Sequence, residues 1–262
     1  GNCSKLVFDV EYEKGTTVPT QLFAKIPFPL EGKTFSDRMA SSVMQSGAEL
    51  MEINTSRLLE SRLPFPIPRY LFGDISNETS NWILITERIP FGQTEGGRRF
   101  DPAYDKMRDF ELKGSTSDYY NILIKIGAQM AGWYKAEKLA PITTLDKFFE
   151  NAALRGPEGY GCRPENSGLS DSEFNAKIKM GADFIECTAK ALFPADISNS
   201  KFVEIYKAIL RTVNAYTAEM TYWCNSKKDY IAWSHGNLNV DNVFFWRSEG
   251  QLDVGVLDWG GA

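Results

Sequence analysis

The chain of 262 residues has one histidine, His235, and that scarcity excludes more than any residue present. A zinc site that needs two histidines, the His-Glu-x-x-His arrangement included, cannot form. A Ser-His-Asp triad would have to use His235, and no Gly-x-Ser-x-Gly elbow is there to present a nucleophile. The four cysteines, Cys3, Cys162, Cys187 and Cys224, contain no Cys-x-x-Cys pair, which removes dithiol redox chemistry and zinc ribbons. So few dispersed thiols read as reduced side chains and point to an intracellular, cytoplasmic setting. No apolar run approaches the roughly 20 residues of a membrane span, so none is expected. A basic surplus is missing as well. Lys and Arg number 29 against 34 Asp and Glu, a net charge of −5, which argues against a dedicated nucleic-acid binder. Two glycosylation sequons occur by spelling, at Asn54 and Asn77, and carry little weight without a secretory signal. The chain begins at Gly1 without an initiator methionine. It ends at Gly260-Gly261-Ala262 directly after a strand-like stretch, and so reads as a fragment truncated at both ends.

What is there is a globular composition, 43% hydrophobic and 24% charged, with ample material for a core. Lys5 to Glu13 alternates apolar and polar residues, with Leu6, Phe8, Val10 and Tyr12 on one face. A turn through Gly15 and Pro19 leads to a second strand, Gln21 to Phe28, and the two should form an antiparallel hairpin. Asp37 to Leu63 has helical spacing and is stopped by Pro64-Phe65-Pro66. Two more strands are expected at Arg69 to Asp74 and Trp82 to Ile89. After a hinge at Pro90-Phe91-Gly92, residues 94–116 read as irregular. Asp118 to Leu139 is the clearest helix, capped by Ser117, with Tyr119, Leu123, Ile126, Met130 and Tyr134 in its apolar stripe. Arg155 to Ser170 reads as a long loop, and Ser172 to Leu192 and Lys201 to Cys224 as helices. The whole is an α+β arrangement: a small β-rich lobe over residues 1–90 and a mainly helical lobe over 91–262, with a cleft between them.

The chemistry is concentrated near the C-terminus, in Ser234-His235-Gly236-Asn237-Leu238-Asn239-Val240-Asp241-Asn242 and in Leu257-Asp258-Trp259-Gly260. Phosphoryl transfer needs a carboxylate and an amide oxygen converging on a cation that neutralises phosphate charge. Asn242 and Asp258 flank a predicted hairpin (Val243 to Phe245, Val254 to Leu257), which would bring them together at its open end.

Together, His235-Gly236-x5-Asn242 and Leu257-Asp258-Trp259-Gly260 resemble the aminoglycoside phosphotransferase and choline-kinase-like group of the protein-kinase-like fold. The resemblance implies a bilobal fold, ATP and Mg²⁺ as cofactors, and a small-molecule hydroxyl as acceptor. It implies that Lys25, in Phe23-Ala24-Lys25-Ile26, holds the ATP phosphates and that a helical glutamate pairs with it. Glu49 and Glu52 both qualify, and Glu52 is preferred for its spacing to Ile67-Pro68. It further implies that Glu87, Arg88 and Ile89 form the strand whose backbone meets adenine, that Asn242 and Asp258 hold the metal, and that His235 steadies the catalytic loop. The Gly-rich phosphate loop would precede Lys5, where only Gly1-Asn2-Cys3-Ser4 stands, so that loop is expected to be missing or partial.

One residue departs from the pattern. The catalytic aspartate of the family stands two residues after the histidine, where this chain has Asn237. An amide cannot take a proton from a hydroxyl, and general-base help is worth about 10²–10⁴-fold, roughly 3–5 kcal/mol of barrier. Phosphoryl transfer leans mainly on positioning and charge, so Asn237 could still orient the acceptor, with Asp241 as a replacement base. The rival reading is a pseudokinase, a binding or scaffolding module that kept the fold and lost the chemistry. Trp133, Tyr134, Trp223, Trp233, Trp246 and Trp259 could build a cage for a cationic ligand, but core packing is the stronger expectation for most of them.

Overall fold

In the computed structural model, residues 3–13, 15, 17–27, 46–76, 81–149 and 170–260 are described. They form a mixed α+β structure, and chain contacts group it into two units. The first unites Gly1–Glu150 with Ala232–Ala262, and the second is Asn151–Ile231. The expected boundary at residue 90 falls inside the first unit.

The first unit opens with the expected hairpin, β1 (Ser4–Asp9) against β2 (Gln21–Ile26). Two further strands, β3 (Tyr70–Ile75) and β4 (Trp82–Glu87), complete an antiparallel sheet in the order β1-β2-β4-β3. Between β2 and β3 lies α1 (Ser46–Asn54), which widens into a π turn at Thr55–Leu59 and tightens into a 3-10 turn at Glu60–Arg62 before Pro64. The first part of the predicted helix, residues 37–45, lies outside the described residues. Asn54, the sequon asparagine, is buried and donates its side-chain amide to the Phe148 carbonyl at 2.9 Å, so it is a structural tie.

A second antiparallel sheet follows, in the order β5-β6-β7-β8. Its strands β5 (Thr94–Glu95) and β6 (Arg98–Phe100) lie in the stretch that periodicity reads as irregular; they are too short to show a period. β7 (Val243–Ser248) and β8 (Gln251–Val256) are the predicted hairpin, each strand longer toward the turn and Leu257 just beyond β8. Its turn residues Glu249 and Gly250 both have positive φ, 52° and 83°, the mirror-type geometry that matches strand twist. Val243 through Trp246 are all buried because both faces of β7 are covered. Val243 and Phe245 pack into the main core with Leu123, Ile126 and Met130 of α2 (Thr116–Lys135), and Phe244 and Trp246 pack on Phe100. The helix starts two residues before the predicted onset. Ser115 occupies the cap position without a side-chain cap bond, and Ser117 lies within the first turn. A short α3 (Ile142–Phe148) completes this unit.

Gly255 faces Phe244 across the hairpin, and a Cβ there would stand 2.0 Å from the Phe244 ring. Gly255→Ala is expected to lose about 1–3 kcal/mol in chemical denaturation, because the ring must leave its place between Phe100 and Trp246. An unchanged midpoint would show that the ring moves freely.

The second unit is helical. α4 (Asp171–Asp183) begins with a capping box in which Ser170 and Glu173 satisfy each other's backbone N–H groups. It runs on through a π turn, Phe184–Thr188, and a 3-10 turn, Lys190–Leu192, where one regular helix was expected. The predicted helix from Lys201 is two: α5 (Ser200–Ala215), capped by Asn199, and α6 (Thr217–Ser226), broken at Tyr216. Among the described residues no helix is long and apolar enough to cross a membrane.

Candidate functional site

Strand register places the site. Lys5 pairs with Lys25 and Val7 with Phe23, while Lys25 also faces Leu84 and Phe23 faces Thr86. Directly paired residues share a sheet face, so these six side chains form one wall. They line a cavity of about 370 Å³, a size suited to a small ligand. The rest of its lining comes from Glu52 and Ser56, from Glu87, Arg88 and Ile89 at the end of β4, and from Asp241, Asn242, Leu257, Asp258 and Trp259.

At one end of this cavity Lys25 joins three distant parts of the chain. Its ammonium donates to Glu52 Oε1 at 2.6 Å and to Asp258 Oδ1 at 2.5 Å. Lys25 and Glu52 are buried, whereas the Asp258 side chain is about half exposed at 49%. Burial works to depress the lysine, but the two carboxylates outweigh it and hold its pKa above the ordinary range. Burial raises Glu52, with Lys25 pulling the other way. Burial also opposes ionisation of Asp258, but here Lys25 prevails and its pKa is lowered. Glu52 therefore fills the predicted partner role; the side chain of Glu49 lies outside the described residues. Asp258 has φ of 61°, a left-handed conformation that Asp and Asn tolerate better than other side chains with a Cβ.

Asn242 is aimed by the loop before it. Its Nδ2 donates to the Asn237 carbonyl at 2.8 Å, which leaves Oδ1 as the free, metal-competent atom. Its own backbone carbonyl accepts from Leu257 N–H at 2.8 Å, tying the two predicted metal residues to one corner. Asn242 Oδ1 and the second oxygen of Asp258 are hard donors that fit Mg²⁺, which takes one or two protein ligands and completes its shell with phosphate and water. No cluster of three or more His, Cys, Asp or Glu side chains able to hold a metal occurs among the described residues.

His235 is fully buried and does not line the cavity. Its Nε2 sits 2.6 Å from the Leu257 carbonyl, an acceptor only, so Nε2 carries the proton; Nδ1 accepts from Asn237 N–H at 3.3 Å. Burial lowers its pKa, against the opposing pull of the Leu257 carbonyl. A neutral ring with both nitrogens engaged is a brace between the two loops. Asn237 is exposed and also lies outside the lining, one hydrogen bond away through Asn242. Asp241 does line the cavity, but its carboxylate stands 3.4 Å from the Lys106 ammonium.

At the other end, Glu87 and Arg88 spend their N–H groups on the carbonyls of Arg69 and Gln21. Among the described residues nothing accepts from the Ile89 N–H, which leaves a backbone donor on a residue of the cavity wall. Sequence reasoning missed Lys5. Its signal is the hairpin register: it stands directly opposite Lys25 on the cavity face, a like-charge pair that costs stability unless an anion lies nearby. Of the aromatic residues, Trp233, Trp246 and Trp259 are core, Trp133 is partly buried and Trp223 is 65% exposed. Comparison with family models, curated proteins and solved structures finds no match to this chain.

Proposed function

We propose that this chain is an ATP-dependent phosphotransferase with a bilobal kinase-like fold, moving the γ-phosphoryl group to an oxygen of a small molecule, for which the family resemblance implies a hydroxyl. The observation that carries the reading is Lys25 held between buried Glu52 and half-exposed Asp258 at the end of a nucleotide-sized cavity. An ammonium so fixed is a pre-organised phosphate ligand, and Lys5 across the hairpin adds a second positive charge. Adenine would lie toward Ile89, whose N–H has no acceptor among the described residues. Asn242 and Asp258 would hold Mg²⁺, which when bound neutralises phosphate charge.

Asn237 favours a second reading, a pseudokinase that binds nucleotide or a partner without turnover. Thermal unfolding with and without magnesium-ATP tests the shared premise. Ligand at 100 times its dissociation constant stabilises by about 2.7 kcal/mol, a clear rise in midpoint. Asp258→Asn keeps the left-handed backbone and is expected to lose the rise. No rise in the native protein at millimolar magnesium-ATP overturns the phosphotransferase reading. A rise without ADP release on any acceptor favours the binding module.

A further inference from the structure

Asn237 is locked as a hydrogen-bond donor, and the lock is set by backbone groups. Asn239 Oδ1 accepts from the Asp241 backbone N–H at 3.2 Å, and Asn239 Nδ2 points at the Asn237 backbone carbonyl at 3.3 Å. A backbone N–H can only donate and a carbonyl can only accept, so the Asn239 amide has one orientation. That same Nδ2 stands 2.8 Å from the Asn237 side chain, which must therefore turn its Oδ1 toward it. Asn237 is left presenting its NH₂ to solvent, and among the described residues nothing accepts from it.

The neighbouring carboxylates each stand beside a cation or an N–H group. Glu52 and Asp258 are held by Lys25, Asp241 stands beside Lys106, and Glu87 accepts from the Arg69 N–H at 3.0 Å. His235 has both ring nitrogens engaged. A hydroxyl arriving at Asn237 meets an N–H donor where a base would stand, and among the described residues each nearby carboxylate already faces a cation or a backbone N–H.

We infer that the acceptor oxygen arrives already ionised: the substrate class is a carboxylate or phosphate monoester, recognised by the Asn237 NH₂. The inference rests on the phosphotransferase reading and replaces the hydroxyl with an oxyanion. The step balances without a base. An acceptor O⁻ forms the new bond to the γ-phosphorus, the bond from that phosphorus to the bridging oxygen breaks, and ADP leaves with the electron pair. No proton moves. Asn239 is a positioning residue in this scheme.

The test uses the native chain with magnesium-ATP and two acceptor panels: acetate, succinate and methyl phosphate against ethylene glycol, glycerol and choline. ADP release is expected to be at least tenfold greater with the ionised panel. With magnesium-ADP bound, methyl phosphate is expected to raise the thermal midpoint where glycerol does not. Asn239→Asp is the decisive variant, because its carboxylate needs a donor from Asn237 and so turns the residue 237 amide to present oxygen. It should lose the preference for anions while residue 237 is unchanged. Asn237→Asp should reverse the preference toward the alcohols. Faster transfer to the alcohols by the native chain, or transfer to neither panel while magnesium-ATP still raises the midpoint, overturns the acceptor assignment alone. Absence of any nucleotide effect overturns the phosphotransferase reading beneath it.

Discussion

Replacing Lys25 with methionine is expected to remove about 3–5 kcal/mol of stability at neutral pH, the range for breaking a buried ion pair from one side. The loss comes mainly through Glu52, which is 10% exposed at its side chain and would keep a charge with no cation beside it. Its carboxyl is already raised by burial with Lys25 present, and without Lys25 it rises further. A raised carboxyl contributes stability below its unfolded value, near 4.3, and loses it as pH climbs through the folded value. The deficit of Lys25→Met against the native chain should therefore be widest near pH 7 and shrink toward pH 4. It should shrink again above about pH 10.4, where the native lysine, raised in the folded state, begins to lose its own contribution. Urea unfolding of both proteins at pH 4.5, 7 and 10.5 reads this out. A deficit that does not change with pH would mean that Glu52 is not left charged. The variant should also show no midpoint rise with magnesium-ATP.

Trp259→Ala carries the second large effect, about 3–5 kcal/mol for emptying a buried indole. The ring is 2% exposed and stacks between Trp233, at 5.1 Å and 1° between planes, and Phe65, at 6.2 Å and 5°. His235 lies against it at 4.7 Å. Because Trp259 follows Asp258 directly, the cavity left by its loss loosens the strained backbone at that carboxylate as well as the core. Trp259→Phe is expected to cost only about 1–2 kcal/mol. It keeps a ring in the stack and removes an indole N–H that has no partner among the described residues. Equal losses for the two variants would mean that a phenyl ring kept in the stack recovers none of the indole's contribution.

How far the fold was legible follows from period and length. The β1–β2 hairpin, the buried stripe of α2 and the β7–β8 hairpin each carry enough residues for a period to show, and each was read correctly in outline. β5 and β6 did not show, being two and three residues long and defined by their pairing partners. The break at Tyr216 escaped because no Gly or Pro marks it between Lys201 and Cys224. Within the site, the meeting of Lys25, Glu52 and Asp258 followed from a resemblance in motifs; spacing alone could not have joined them. What motifs could not carry is orientation. The sequence shows an asparagine at 237, but which end of its amide faces outward is decided by Asn239 and two backbone groups. Lys5 was invisible for the same reason, since its place opposite Lys25 is a matter of register.

The span between the partners of Lys25 also orders events during synthesis. Glu52 is 27 residues from Lys25 in the chain, and Asp258 is 233. At about 5–20 residues per second, a ribosome delivers Asp258 roughly ten to fifty seconds after Lys25. Through that interval the nascent first sheet can neutralise its lysine with one carboxylate only, and the corner built by Asn242 and Leu257 does not yet exist. Any role that needs the completed Lys25 corner must therefore wait until Asp258 has been added to the chain.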